Sequence, residues 1–170
     1  DALSRIFRYS IKGEEKVTVK EELQIVQAYI SIQQERFAGR FDVRYALSPD
    51  CDSCRIIKMI LQPLVENAVF HGIEPSMGRS LLTVGCRMDG NRDLLLWVED
   101  DGVGMDGEAL AAIRRSLRAS FSAASDSPQP QSIGILNVHN RIKFAYGPEY
   151  GVVSIGSAPE EGTKVLLKIP

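Results

Sequence analysis

The sequence predicts an α+β fold, a two-layer α/β sandwich in which helices cover one face of a mixed, mostly antiparallel sheet. Three observations lead there. Segments with apolar residues at three- and four-residue steps alternate with segments of period two, two strand pairs are joined by short hairpin turns, and the composition is that of an ordinary soluble domain.

In chain order, Leu3, Ile6, Phe7 and Ser10 share a helical spacing that ends at Gly13. Thr18 and Glu21 have capping-box spacing, and Leu23, Val26, Ile30 and Phe37 continue on one face, which predicts a helix over about 19–37. Phe41, Val43, Tyr45 and Leu47 alternate with Asp42, Arg44 and Ala46 as in a half-buried strand, which Pro49-Asp50 ends. A helix is expected from about Arg55 to His71; Pro63 either starts a new segment or kinks it, and Gly72 stops it.

Strands follow at about 80–88 and 93–100, joined by Asp89-Gly90-Asn91. The run Leu94–Val98 is apolar on both faces and reads as a central strand. A helix is expected over about 107–118. The stretch 119–132, rich in serine, alanine, proline and glutamine with Phe121 its one large hydrophobe, buries little and reads as mobile. Ile135, Val138, Ile142 and Ala145 lie on one face of a further helix that Gly147-Pro148 ends. Strands at about 151–157 and 163–169 close the chain around the turn 158–162.

At 170 residues the chain has the size of one domain, which on folding buries about two-thirds of its surface. Hydrophobic residues make up 44% and charged residues 25%, and no apolar run approaches the roughly 18 residues of a membrane helix. The net charge of −2 supplies no basic field, so no nucleic-acid partner is expected. Cys51, Cys54 and Cys86 form no even disulfide framework, which fits a reducing cytoplasm. Cys51 and Cys54 have the spacing of half a zinc site, but no second pair completes it, so they read as loop or helix-start residues. The first residue is Asp1, as expected for a piece of a longer protein.

Three short strings carry chemistry. In Val98-Glu99-Asp100-Asp101-Gly102-Val103-Gly104-Met105 an acid ends a buried strand and glycines follow at two and four residues. The carboxylate can accept from the exocyclic amine of adenine and would be repelled by the guanine carbonyl. In Glu66-Asn67-Ala68-Val69-Phe70-His71-Gly72, Asn67 and His71 point from one helical face of an otherwise apolar run. An amide oxygen is a hard ligand suited to Mg²⁺, which takes its remaining ligands from water and phosphate. In Ser132-Ile133-Gly134-Ile135-Leu136-Asn137 a glycine-bearing loop leads into a helix, and such an N-terminus offers amides to phosphate oxygens. Gly162-Thr163 opens the last strand and brings a hydroxyl toward the base. Taken singly, each string has a plain alternative: an acidic turn, a satisfied core pair, a capped helix start, a turn glycine.

Together, in this order, they resemble the ATPase domains shared by gyrase, the heat-shock chaperone, histidine kinases and MutL, the Bergerat-type fold. Asn67 matches that superfamily's magnesium asparagine, Asp100-x-Gly102-x-Gly104 its adenine motif, and Gly134-x-x-Asn137 its second glycine motif. Met105 and Leu136 count with the nucleotide site, as do His71, Arg141 and Thr163. The stretch 119–132 falls where these domains keep a lid over the nucleotide. Leu61-Gln62-Pro63-Leu64-Val65-Glu66-Asn67-Ala68 with His71-Gly72, and upstream Glu21-Glu22-Leu23 with Gln33-x-x-Arg36-Phe37, look like the LytS-type sensor histidine kinases.

That resemblance implies an ATP-binding catalytic domain that uses ATP and Mg²⁺, over 38–170, with 1–37 the tail of the helical dimerisation and phosphoacceptor region. It also implies transfer of the γ-phosphoryl group to a histidine upstream of this sequence, since the family's Pro-His-Phe motif is absent. A homodimer, a response regulator partner and a full-length protein anchored in the bacterial plasma membrane are further implications. Two positions depart from the family pattern. Ser132 stands for a glycine and Asp101 for an asparagine, which bears on phosphate binding and on repulsion of the triphosphate. The competing expectations are a hydrolytic ATPase of the same superfamily, whose water-activating glutamate would fall at Pro63, and a degenerate module that keeps the fold for protein interaction.

Overall fold

The computed structural model describes residues 15–119 and 130–170, without the side chains of 130–132. The expected helix at the N-terminus lies outside the described residues, as does the expected mobile stretch except at its ends.

Lys16–Thr18 (β1) leads into helix α1, Val19–Arg36. The capping box forms as expected: the Glu21 amide donates to Thr18 Oγ1 at 3.2 Å and the Thr18 amide to Glu21 Oε2 at 2.8 Å. β2 (Phe41–Leu47), β4 (Ser80–Met88), β5 (Leu94–Asp100), β6 (Gly151–Ala158) and β7 (Gly162–Ile169) form a five-stranded sheet of order β2-β4-β5-β7-β6. The β2–β4 pair is parallel and the others antiparallel, so the sheet is mixed and mostly antiparallel, with β5 at its centre.

The burial alternation along β5 separates the two faces. Leu94, Leu96, Val98 and Asp100 are buried, while Leu95, Trp97 and Glu99 lie on a partly open face. The buried face continues through Leu82, Val84, Val165 and Leu167. It is covered by α2 and its continuation (Gln62–Ile73), α3 (Gly107–Ala119) and α4 (Pro130–Tyr146), with α1 packed on α2.

Three expectations are corrected. Residues 55–61 are not helical: Arg55–Ile57 is strand β3, antiparallel to β1. The helix starts only at Gln62, where Pro63 sits in a first turn that needs no donor from it. Nor does that helix stop at Gly72, because Ala68–Ile73 continue it as a π-helical turn. Finally, α4 begins at Pro130, so Ser132 and Gly134 are helical and not part of a loop.

The three cysteines are free. Cys51 and Cys86 are buried beside one another, and burial pushes the Cys51 thiol up to about 12, which marks a packing residue and not a nucleophile.

Candidate functional site

Between the π-helical turn, the end of β5 and the start of α4 lies a cleft of about 320 Å³. It is lined by Asn67, His71, Asp100, Gly104, Met105 and Thr163, all anticipated from sequence, and by Leu64, Ala68, Gly72, Pro75, Val98, Val103, Ile135 and Val165. No lysine or arginine lines it among the described residues.

Asp100 closes the floor. β5 ends there with its carboxyl on the buried face, only 4% exposed. Burial pushes that carboxyl up to about 7, with Asp101 and Glu99 adding to the rise and the amides of Gly102 and Thr163 opposing it. The Gly102 amide donates to Oδ1 at 3.0 Å. The same oxygen lies against Gly72, whose missing side chain makes the space: a Cβ there would run into the Asp100 carboxyl. The π-helical turn therefore brings a bare backbone segment against the acid, a use of such turns often met at functional sites. The Val103 amide donates to Gly72 O at 3.0 Å and ties the turn to the loop after β5. Gly104, at φ +65, turns that loop under the β6–β7 hairpin, where a Cβ would meet Ala158 O. Met105 follows, its amide donating to Ser157 Oγ at 2.9 Å, and Ser157 Oγ also contacts Thr163 Oγ1 at 2.9 Å.

At the other end Asn67 stands where α2 passes into the π-helical turn. Its Nδ2 is buried without a hydrogen-bond partner among the described residues. Gly134 of α4 faces it so closely that a Cβ would lie 2.7 Å from Nδ2. An unpaired amide at the wall of a cleft is a group waiting for a polar ligand. Turned over, the same side chain presents its carbonyl oxygen.

The remaining expected residues are placed elsewhere. Arg141 donates to Met59 O and Lys58 O, at 2.7 Å each, and borders a separate crevice beside Phe144. Asn137 is exposed on α4, and Leu136 packs against the core. Gly102 lies behind the cleft against Gly72 O. Asp101 turns away from the cleft, since its Oδ1 accepts from the Leu81 amide at 2.6 Å. His139, not anticipated as a nucleotide contact, is a core residue. Its Nδ1 accepts from the Val152 amide at 3.0 Å and its Nε2 lies 3.1 Å from Leu117 O, so the ring is held neutral with its pKa lowered by burial.

The apolar liners Leu64, Val103, Ile135 and Val165 carried no signal of their own in the sequence. Their spacing marks them only as core positions, and the cleft is where that core is left uncovered.

Family models fit this chain in two parts. Residues 53–170 match the model for histidine kinase-, DNA gyrase B-, and HSP90-like ATPases, and residues 1–41 match that for histidine kinases. Among curated proteins it is 35% identical to the sensor histidine kinase YpdA of Escherichia coli over 99% of this chain and 27% of that protein. It is 31% identical to YesM of Bacillus subtilis over 100% of this chain and 27% of that one, and 31% identical to the sensor protein kinase HptS of Staphylococcus aureus over 99% and 31%. The chain thus spans just over a quarter of the length of these relatives. In fold it is similar to the histidine kinase domain of the blue-light activated histidine kinase of Erythrobacter litoralis EL346, with a TM-score of 0.60 at 15% identity, covering 100% of this chain and 75% of that one. The mycobacterial sensor histidine kinase MprB gives 0.55 at 15% identity, over 92% and 96%. The chain belongs to the histidine kinase-, DNA gyrase B-, and HSP90-like ATPase family. Within it, the chain is the ATP-binding catalytic domain of a sensor histidine kinase.

Proposed function

We propose that this domain, of the LytS type, holds ATP with adenine on Asp100 and the phosphates toward Asn67 and α4, and presents the γ-phosphoryl group to a histidine upstream of this sequence. The observation that carries this reading is the buried Asp100 carboxyl at the closed end of the cleft, with Gly72 leaving room beside it. A carboxylate there accepts from the adenine amine, and water is kept from that bond by Val98, Val103 and Val165. Thr163 and Met105 flank the base, and His71 stands at the rim.

Asn67 fits a magnesium site. It is a lone hard ligand on the cleft wall, with no cluster of acidic or histidine ligands among the described residues, as suits an ion that takes its other ligands from water and phosphate. Bound Mg²⁺ would neutralise phosphate charge that no lysine or arginine of the described cleft meets. The domain's own part in transfer is positioning: it fixes the base, aligns the phosphate chain and leaves the nucleophile to another segment.

In the whole protein, that segment is the helical region for which residues 1–37 would be the tail, paired as a homodimer, with a response regulator as phosphoryl acceptor. Membrane anchoring of the whole protein belongs to the same reading, with this domain on the cytoplasmic side; no described helix is long and apolar enough to span a membrane.

Calorimetric titration of the chain with a non-hydrolysable ATP analogue and its GTP equivalent, each with and without Mg²⁺, tests the site. Magnesium-dependent binding of the adenine nucleotide alone is expected. Equal binding of both, or of neither, would overturn the assignment of Asp100.

A further inference from the structure

The corner that launches α2 is held from two sides by residues outside the cleft. Glu22, in the first turn of α1, is a charged side chain only 1% exposed. Its Oε2 accepts from the Met59 amide at 2.9 Å, and its Oε1 from the amides of Ile60 at 2.8 Å and Leu61 at 3.1 Å. Three successive amides converge on one carboxylate because Met59 adopts φ +58. α2 itself has no side-chain cap at Leu61. Glu22 therefore serves as the cap that the local sequence does not provide, borrowed from a helix almost forty residues upstream. On the opposite side Arg141 of α4 takes the carbonyls of Lys58 and Met59.

From this corner α2 runs directly to Asn67 and then into the turn that sets Gly72 against Asp100. We infer that Glu22 is a positioning residue for the nucleotide site: it locks the start of α2 to α1, so that the placement of Asn67 depends on the placement of α1. Because α1 lies within residues 1–41, the segment that matches the histidine kinase model, the bond couples that segment to the cleft. Coupling of this kind is reciprocal, so occupancy of the cleft tightens the same corner. The inference rests on the ATP reading of the cleft and adds the route by which α1 acts on it.

Three measurements on the same chain test it. The affinity gain that Mg²⁺ gives an ATP analogue is compared between the wild type, Glu22→Gln, which offers an amide donor where Glu22 accepts, and Ile30→Val, which loosens the core packing of α1 without touching the 59–61 amides. Melting curves accompany each. Glu22→Gln is expected to lose roughly tenfold in magnesium-dependent affinity, while Ile30→Val keeps the gain at a comparable loss of stability. If Glu22→Gln keeps the full gain, its role is structural only and the inference is overturned. Should that variant not fold, amide exchange of the wild type decides: saturation with the magnesium–ATP analogue slows exchange at Met59, Ile60 and Leu61, and unchanged exchange there overturns the coupling. Failure of the wild type to bind at all removes the ATP reading and the inference with it, whereas binding by the wild type with no effect at Glu22 removes the inference alone.

Discussion

At the end of the cleft proposed to hold the base Asp100 is fixed by the Gly102 amide, hemmed in by Gly72 and backed by the β5–β7 ladder. At the end proposed to hold the phosphates Asn67 has a buried Nδ2 with no partner among the described residues, facing Gly134 of helix α4. The first end is preformed, because its polar atoms are already arranged by strand and loop backbone whose hydrogen bonds exist without ligand. The second end is incomplete without one. Discrimination between bases is thus expected to reside in the rigid half, and dependence on the metal in the half that a ligand must finish.

The sharpest way to break the rigid half is Gly72→Ala. Its Cβ would collide with the Asp100 carboxyl, at a cost of about 1–3 kcal/mol in stability. Adenine-nucleotide affinity should drop roughly a hundredfold as the carboxyl is displaced. Calorimetry and a melting curve check both; unaltered affinity would mean that the base does not bind at Asp100.

Asp100→Asn is next. It should weaken ATP binding by about 1.5–3 kcal/mol, the range of a hydrogen bond to a charged group. It should also stabilise the empty domain at pH 8. The sign follows from linkage: the folded-state carboxyl titrates at about 7, raised from 3.8, so the native state holds the proton more tightly than the unfolded chain. Its contribution to stability is full at low pH, falls as pH rises between those two values, and stays lost above 7. Nucleotide affinity runs the opposite way, since the ionised acid accepts from the adenine amine more strongly than the protonated one. Between pH 8 and pH 6 the wild type should lose about tenfold in affinity, and Asp100→Asn should show a flat profile in the same titration.

Asn67→Ala tests the other half. Removing an unsatisfied buried amide should leave the melting temperature of the empty domain nearly unchanged. The affinity gain from Mg²⁺ should disappear while binding of adenosine persists, as isothermal titration with both ligands would reveal. The smallest effect is expected for Asp101→Asn, within about twofold in ATP affinity, because that carboxylate is occupied by the Leu81 amide and points away from the cleft. A large gain on removing its charge would place Asp101 at the phosphates after all.

The sequence made much of this legible. The Thr18–Glu21 cap, the β4–β5 hairpin and the central position of β5 rest on spacing and turn chemistry within a few residues of one another, and they appear as expected. Six of the anticipated nucleotide residues line one cleft because each sits beside a feature visible locally: a strand end, a glycine, a polar residue in an apolar run. Arg141 did not follow, since nothing around it in the chain tells that two carbonyls some eighty residues away will claim its guanidinium.

The sequence by itself determined the order of the long helices and of the five strands of the main sheet, its mixed character, and the acid, amide and glycines of the proposed nucleotide site. These depend on periodicity and on intrinsic backbone preferences, which are properties of short segments. Only the tertiary structure decided that Arg55–Ile57 is a strand, that Gly72 lies in a π-helical turn against Asp100, that Asp101 is turned aside and that Glu22 caps α2. In each case the deciding bond joins residues about twenty to forty apart in the chain, and a buried amide or carboxyl takes whichever partner the packing of the whole domain brings within reach.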